Sequence, residues 1–363
     1  MRDFLGKLAL MVGAIAVALL VAEVALRIFR PFGAEVVTGD QYQFYSYDPV
    51  LGWSNTPGIN GTFKRAEFSY PLRINRQGLR GAEVSLEKPS GIKRIAVLGD
   101  SFTWGIGASE EELFVSRMQH NFNDVEVLNF GVSGYAPVQH YLMKEKILSF
   151  NPDLIVIAFC LGNDFTDNVF QRRYGYYKPF ARLDDNKDLV IDGYPITNVK
   201  DFGDFKRSAK TFFEKIYIVR LFNNAIAKFE NQGGPGNYEN IDIYNKTDGS
   251  NYQYVIDVNT ALIKGIVSEF DKVNIPVIVA AVPTKCEFGG CFKGEKFDRN
   301  GARNALKASL QGLNVTHLDP TDEFKIDDFW KSDGHWRASG HEKFAKALFP
   351  ALSRLLEKKE DVK

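Results

Sequence analysis

Cysteine is scarce in this chain, histidine nearly as scarce, and neither sign of charge is in surplus. Its 363 residues include 3 Cys, 5 His, and 45 Lys and Arg against 45 Asp and Glu. A balanced charge provides no broad positive field to hold a phosphate backbone, so no nucleic acid partner is expected. There is no internal repeat and only one long uncharged run, which sets aside repeat architectures and polytopic transporters. A hydrophobic share of 45% with 25% charged residues is globular arithmetic and sets aside a disordered chain. Three cysteines are too few for a disulfide scaffold. Cys160 falls in an apolar run and reads as a small core residue. Cys286 and Cys291 share a Gly-rich loop and can pair outside the cytoplasm. No His flanks them, so no metal site is expected there.

The one uncharged run is at the start. Leu8 to Ala22 carries no charge, and the apolar character continues past Glu23 to Leu26. A helix over Leu8–Leu26 would be about 28 Å long, enough to cross the hydrocarbon layer. Arg2 and Lys7 precede it, which favours a cytoplasmic amino terminus and an exported body. The small-x-small cleavage patterns, Ala14-Ile15-Ala16 and Ala16-Val17-Ala18, lie inside the run, so residues 1–30 are read as an uncleaved signal-anchor rather than a removed leader. The expected location is a membrane crossed once, with the remaining body extracytoplasmic.

Residues 31–92 are aromatic and punctuated by Pro and Gly, and predict a small β-rich apron. From Arg94 strand and helix alternate. Strands are predicted at Ile95–Leu98, Val125–Leu128, Asp153–Phe159, Pro276–Ala281 and Val315–Leu318. Helices are predicted from Ser109 to about Phe122, over Pro137–Phe150, Tyr254–Phe270 and Arg299–Leu310, and from Ser339. Strands such as DLIVIAF, apolar on both faces, belong to a parallel sheet covered by helices. The prediction is a doubly wound α/β domain over 93–358 with about five strands. An insertion at about 165–250, with a helix near Lys206–Glu230, interrupts it as a lid, a substrate platform or a packing appendage.

Ligands of such sheets bind beyond the carboxyl ends of the strands. The first strand is followed by Gly99, Asp100 and Ser101, the second by Asn129, Gly131, Ser133 and Gly134, and the third by Gly162, Asn163 and Asp164. Asp333 and His335 stand just before the last helix. A serine hydroxyl needs a base to become a nucleophile, and His335 is the imidazole placed to serve Ser101, with Asp333 to orient it. The oxyanion formed on an attacked carbonyl needs donors. The candidates are the backbone N–H of Ser101, the backbone N–H of Gly134 and the carboxamide of Asn163, with Gly131 as second choice. Asp100 is expected to organise its loop and His341 to pack or cap, while His120, His140 and His317 have no matching partners.

The segments GDSFTWG, NFGVSGY, LGND and DGHW, in this order, resemble the four blocks of the SGNH (GDSL-like) hydrolase superfamily, and the anchor and apron are similar to those of its membrane-tethered bacterial members. The resemblance spans about Arg94 to Leu356 outside the insertion. It implies a flavodoxin-like three-layer sandwich and hydrolysis of acyl esters, commonly acetyl groups on carbohydrate, with no cofactor. It assigns Ser101 as nucleophile, Gly134 and Asn163 as oxyanion donors and His335 as base. The common pattern puts the triad acid three residues before the histidine, where this chain has Ser332. Asp333, two before, is taken as the acid, with Asp319 and Asp322 as substitutes.

The expected activity is a serine carboxylic ester hydrolase acting on an acylated small molecule or glycan. An O-acetyltransferase shares the same triad, and a catalytically idle polysaccharide-binding or assembly factor is the alternative from another class. Tyr174, Tyr176, Tyr177 and Trp104 are candidate sugar-stacking rings.

Overall fold

Strands that are apolar on both faces must be covered on both, and the computed structural model shows how. It describes residues 2–29, 44–174, 176–197, 243–244, 250–289 and 297–357. After α1 (Arg2–Phe29) come two antiparallel hairpins, β1 (Tyr45–Asp48) with β2 (Gly52–Asn55) and β3 (Asn60–Lys64) with β4 (Ser69–Arg73). The α/β body then runs β5 (Lys93–Leu98), α2 (Ser101–Trp104), α3 (Phe114–His120), β6 (Val125–Asn129), α4 (Pro137–Leu142), α5 (Lys144–Leu148), β7 (Leu154–Cys160) and α6 (Asp164–Asp167). Two small hairpins follow, β8 (Arg172–Arg173) with β9 (Tyr176–Tyr177) and β10 (Phe180–Leu183) with β11 (Leu189–Asp192). The body resumes with α7 (Ser250–Asp271), β12 (Val277–Val282), α8 (Gly301–Ser309), β13 (Thr316–Leu318) and α9 (Ala338–Glu357).

The five body strands form one parallel sheet in the order β13-β12-β7-β5-β6. By sequence rank this is 2-1-3-4-5 read from the β6 edge, the flavodoxin order, with its switch point between β5 and β7. Side chains alternate between two cores. Ile95, Val97, Leu154, Val156 and Ile278 pack with α3 and α9, while Ala96, Leu98, Ile155, Ile157 and Val279 pack with α4, α7 and α8. The two-faced strand pattern was therefore a sound guide to the parallel sheet.

Helix boundaries differ from the sequence expectation in two places. Ser109 and Glu112 form the expected capping box, but it opens a single 3-10 turn, and Leu113 is extended before α3 begins at Phe114. Pro137–Phe150 is two short helices meeting at Met143 rather than one. The helix expected near 206–230 lies outside the described residues.

The β1–β4 hairpins join the α4/α7/α8 core. Phe63 packs edge-on to Trp104 at 5.3 Å and stacks with Tyr70 at 5.5 Å between ring centroids. Such aromatic pairs contribute roughly 0.5–1.5 kcal/mol each beyond area burial, so the apron is tied into the body that carries the site.

Among the described residues no helix is long and apolar enough to cross a membrane. The side chains of Leu8, Ala9 and Ala16, inside the expected span, lie outside those residues. What the structure shows is a 28-residue helix α1 with Leu10, Val17 and Leu20 exposed and Ala25 and Leu26 half-buried. Cys160 is free and buried in β7, and Cys286 is disulfide-bonded. Its expected partner, Cys291, lies outside the described residues.

Candidate active site

At the carboxyl end of β5 the chain must turn sharply into α2. Gly99 permits this, because a Cβ there would lie 2.1 Å from Thr103 Oγ1. Asp100 caps α2, its Oδ1 accepting from the Phe102 N–H at 2.9 Å. That leaves Ser101 at the first helical position with its side chain at the sheet's edge and its N–H donating to no described acceptor.

His335 comes from a tight loop between β13 and α9, closed by the Trp330 N–H to His335 carbonyl bond at 2.9 Å and by Gly334 at φ +86°. It reaches across 234 residues to place Nε2 2.8 Å from Ser101 Oγ. Its Nδ1 bonds Asp333 Oδ1, so Ser101, His335 and Asp333 form one hydrogen-bonded chain. Burial by itself would raise the Asp333 carboxyl. The hydrogen bond and charge of His335, joined by the Arg65 guanidinium, outweigh it and hold that carboxyl far below the usual carboxylate range. Asp319 and Asp322, the substitutes, pair instead with Arg303 at 2.7 and 3.0 Å. Ser332 contributes only a backbone N–H, given to Glu67 at 2.7 Å.

The loop after β6 holds Gly134, the second expected donor. Gly134 has φ +79°, and a Cβ there would lie 2.5 Å from the Tyr174 ring, so only glycine fits beneath that ring. Its N–H also donates to no described acceptor. Gly131, the second choice, is set aside because its N–H is taken by Asn129 Oδ1 at 2.9 Å. The loop is braced by the apron, with Trp53 Nε1 donating to the Ser133 carbonyl at 3.0 Å and the Tyr135 hydroxyl bonding the Trp53 carbonyl.

Asn163, after β7, directs its carboxamide by an unexpected route. One Nδ2 hydrogen goes to the buried Asp167 Oδ2 at 2.7 Å, and Asp167 in turn meets Arg173 at 3.2 Å. The second Nδ2 hydrogen has no described acceptor. Beneath this lie Asp100 and Asp164, whose carboxyls are pushed up by burial, Asp164 further by the charge of Asp100. The buried Lys178 is pushed down to about 7 by burial.

Of the four candidate sugar-stacking rings, Trp104 is fully buried with Nε1 on Asn55 Oδ1 at 3.0 Å, and Tyr176 is buried too. Tyr177 sits under the Arg172 guanidinium at 4.0 Å. Only Tyr174, 41% exposed, presents a ring beside the site. Among the described residues no group of three or more His, Cys, Asp or Glu is placed to hold a metal ion.

Two further histidines are buried neutral. His140 lies behind Gly99, its Nε2 3.3 Å from that carbonyl, and burial pushes it down to about 4. His341 stacks on Phe114 and is pushed down to about 3, first by burial and then by nearby Arg80 and Arg117. Between their unfolded value near 6.5 and these folded values the unfolded chain binds more protons, so stability falls as pH falls. Urea unfolding at pH 7 and pH 4.5 is expected to differ by roughly 2 kcal/mol from each histidine, and His341→Leu should flatten that dependence if it folds.

Arg65, Glu67, Trp53 and Asp167 were not candidates from sequence, since nothing in their spacing links them to the motif segments.

The fold is a parallel α/β sheet in the flavodoxin order, with a serine, a histidine and an aspartate hydrogen-bonded in series beyond the carboxyl end of β5. The chain belongs to the GDSL-like lipase/acylhydrolase family, which it matches over residues 95–348, and is a carboxylic ester hydrolase. No curated protein matches it. It is similar in structure to a GDSL-like lipase from Bacteroides thetaiotaomicron, with 14% identity, 72% of this chain and 88% of that one covered, and a TM-score of 0.38. An acetyl xylan esterase is similar at 14% identity, covering 71% and 98%, with a TM-score of 0.41. The psychrotrophic esterase EstA from Pseudoalteromonas sp. shows 10% identity, 73% and 99% coverage, and a TM-score of 0.40.

Proposed function

We propose that the protein hydrolyses an acyl ester, specifically an acetyl ester of a carbohydrate, through an acyl-enzyme on Ser101, with its catalytic body outside the bacterial inner membrane and α1 as the anchor. The observation that carries the reaction is the Ser101–His335–Asp333 chain; the N–H groups of Ser101 and Gly134 donate to no described acceptor. Ser101 Oγ attacks the carbonyl carbon while its proton passes to His335 Nε2. Asp333, held ionised, stabilises the imidazolium. The oxyanion receives the N–H groups of Ser101 and Gly134 and the remaining Nδ2 hydrogen of Asn163. His335 then gives its proton to the departing alcohol, and water, deprotonated by the same imidazole, releases the acid. The exposed Tyr174 ring beside Gly134 suits the apolar face of a sugar. The apolar run Leu8–Leu26 and the disulfide-bonded Cys286 support an anchored, extracytoplasmic body.

The test is capture of the full chain, in detergent, by a fluorophosphonate, followed by assay on acetylated oligosaccharides with and without an acceptor glycan. Capture together with acetate released to water is the expected result. Transfer to the acceptor would make it an O-acetyltransferase, and no capture would leave an idle scaffold. A phosphatase reporter fused after Lys363 is expected to be active outside the cytoplasm; activity inside would overturn the orientation.

Asn163→Ala removes one oxyanion donor and is expected to lower kcat about 100- to 1000-fold with KM little changed. Asp167→Ala should reproduce part of that loss in kcat, since it frees the carboxamide that Asn163 presents. A loss in KM alone would contradict the placing role of Asp167.

A further inference from the structure

The catalytic acid assigned above sits two residues before the histidine, on a short loop, and only one of its oxygens faces the imidazole. The other, Oδ2, meets the guanidinium of Arg65, from the turn between β3 and β4. Both side chains are largely shielded, 12% and 5% exposed. The turn itself is well held. The Arg65 N–H closes it on the Phe68 carbonyl at 2.9 Å, the guanidinium lies 5.4 Å from the centre of the Phe63 ring, and Phe68 packs on Trp330 at 5.2 Å. Glu67, two residues on, accepts the successive N–H groups of Lys331, Ser332 and Asp333 at 3.1, 2.7 and 3.1 Å. A segment outside residues 95–348, the family match, thus grips both the backbone and the carboxylate of the acid's loop.

We propose that Arg65 is a positioning residue for ester hydrolysis, fixing Asp333 through Oδ2 so that Oδ1 meets His335 Nδ1, and that the apron is therefore part of the active site. The inference rests on the hydrolytic reading of Ser101, His335 and Asp333. A carboxylate on a short loop can rotate about χ2. A guanidinium that is always protonated and can only donate anchors one oxygen and leaves the other for the imidazole.

The experiment compares the full chain with R65M and R65K, each checked by circular dichroism. The readouts are the rate of fluorophosphonate capture and, separately, kcat and KM for p-nitrophenyl acetate. In R65M kcat is expected to fall about 10- to 100-fold through lost positioning, with KM little changed. R65K keeps a cationic donor for Asp333 Oδ2, so its kcat should lie between those of the parent and R65M. R65Q replaces R65M if the latter does not fold. An unchanged kcat in R65M, a change confined to KM, or R65K as impaired as R65M would overturn the role and leave Arg65 a structural clasp. Failure of the parent chain itself to be captured would instead overturn the hydrolytic reading, so the two failures are separable.

Discussion

Ser101→Ala is expected to abolish fluorophosphonate capture and to lower kcat on acetyl esters about 10⁴- to 10⁶-fold, with the unfolding midpoint unchanged. The size of the loss follows from the chemistry proposed for the site. Without Oγ no acyl-enzyme forms, and what remains is water attacking an ester held near the N–H donors, which by themselves leave a residual acceleration of about 10³–10⁴ over water. Stability should be little affected because, among the described residues, Oγ makes two hydrogen bonds, with His335 Nε2 at 2.8 Å and with Asp100 Oδ2 at 3.5 Å, and alanine fits the first helical position equally well. His335→Ala should lose about as much, and the double variant should be scarcely worse than either single one, because serine and histidine act as a unit. Additive losses, or capture surviving in Ser101→Ala, would show that another nucleophile does the work.

The second large effect is expected at Asp333. Asp333→Asn should lower kcat about 10⁴-fold with the loop geometry intact, and the structure gives the reason. Two groups that need an acceptor, His335 Nδ1–H and Arg65, flank this side chain, and an amide has only one oxygen. Arg65 cannot accept a hydrogen bond, so it takes the oxygen and turns the NH₂ toward His335. That fixes the proton on Nε2, and a protonated Nε2 cannot receive the Ser101 proton. Adding Arg65→Met releases the amide to flip, so the double variant is expected to be no slower than Asp333→Asn alone, a non-additivity that a double-mutant cycle reads directly. Simple addition of the two losses would argue that Arg65 and Asp333 act separately.

How far these features could be read beforehand depended on their range along the chain. The strands β5, β7 and β12 announced themselves because six or seven apolar residues in a row leave no face for water. The short segments around Ser101, Gly134, Asn163 and His335 were equally local, and the strand-end rule put them forward together; the structure joins Ser101, His335 and Asp333 by hydrogen bonds. The break between α4 and α5 and the 3-10 turn after Ser109 were not visible, since an apolar period shows that a stretch is helical without showing where one helix gives way to the next. The four candidate rings could not be ranked from the sequence. Composition made four rings equivalent, and packing then buried Trp104 and Tyr176, covered Tyr177 with Arg172 and left Tyr174 over Gly134.

By itself the sequence determined the parallel α/β sheet and the family, and named the candidates for ester chemistry, because each is written in periodicity or motif within a few tens of positions. Only the tertiary structure decided which groups serve those residues. Arg65 and Glu67 meet the Asp333 loop from more than 260 residues away, Trp53 meets Ser133 across 80, and one hydrogen of the Asn163 carboxamide is taken by Asp167. Such pairings are set by how the hairpins and the sheet pack together, a property of the whole core that no local pattern encodes.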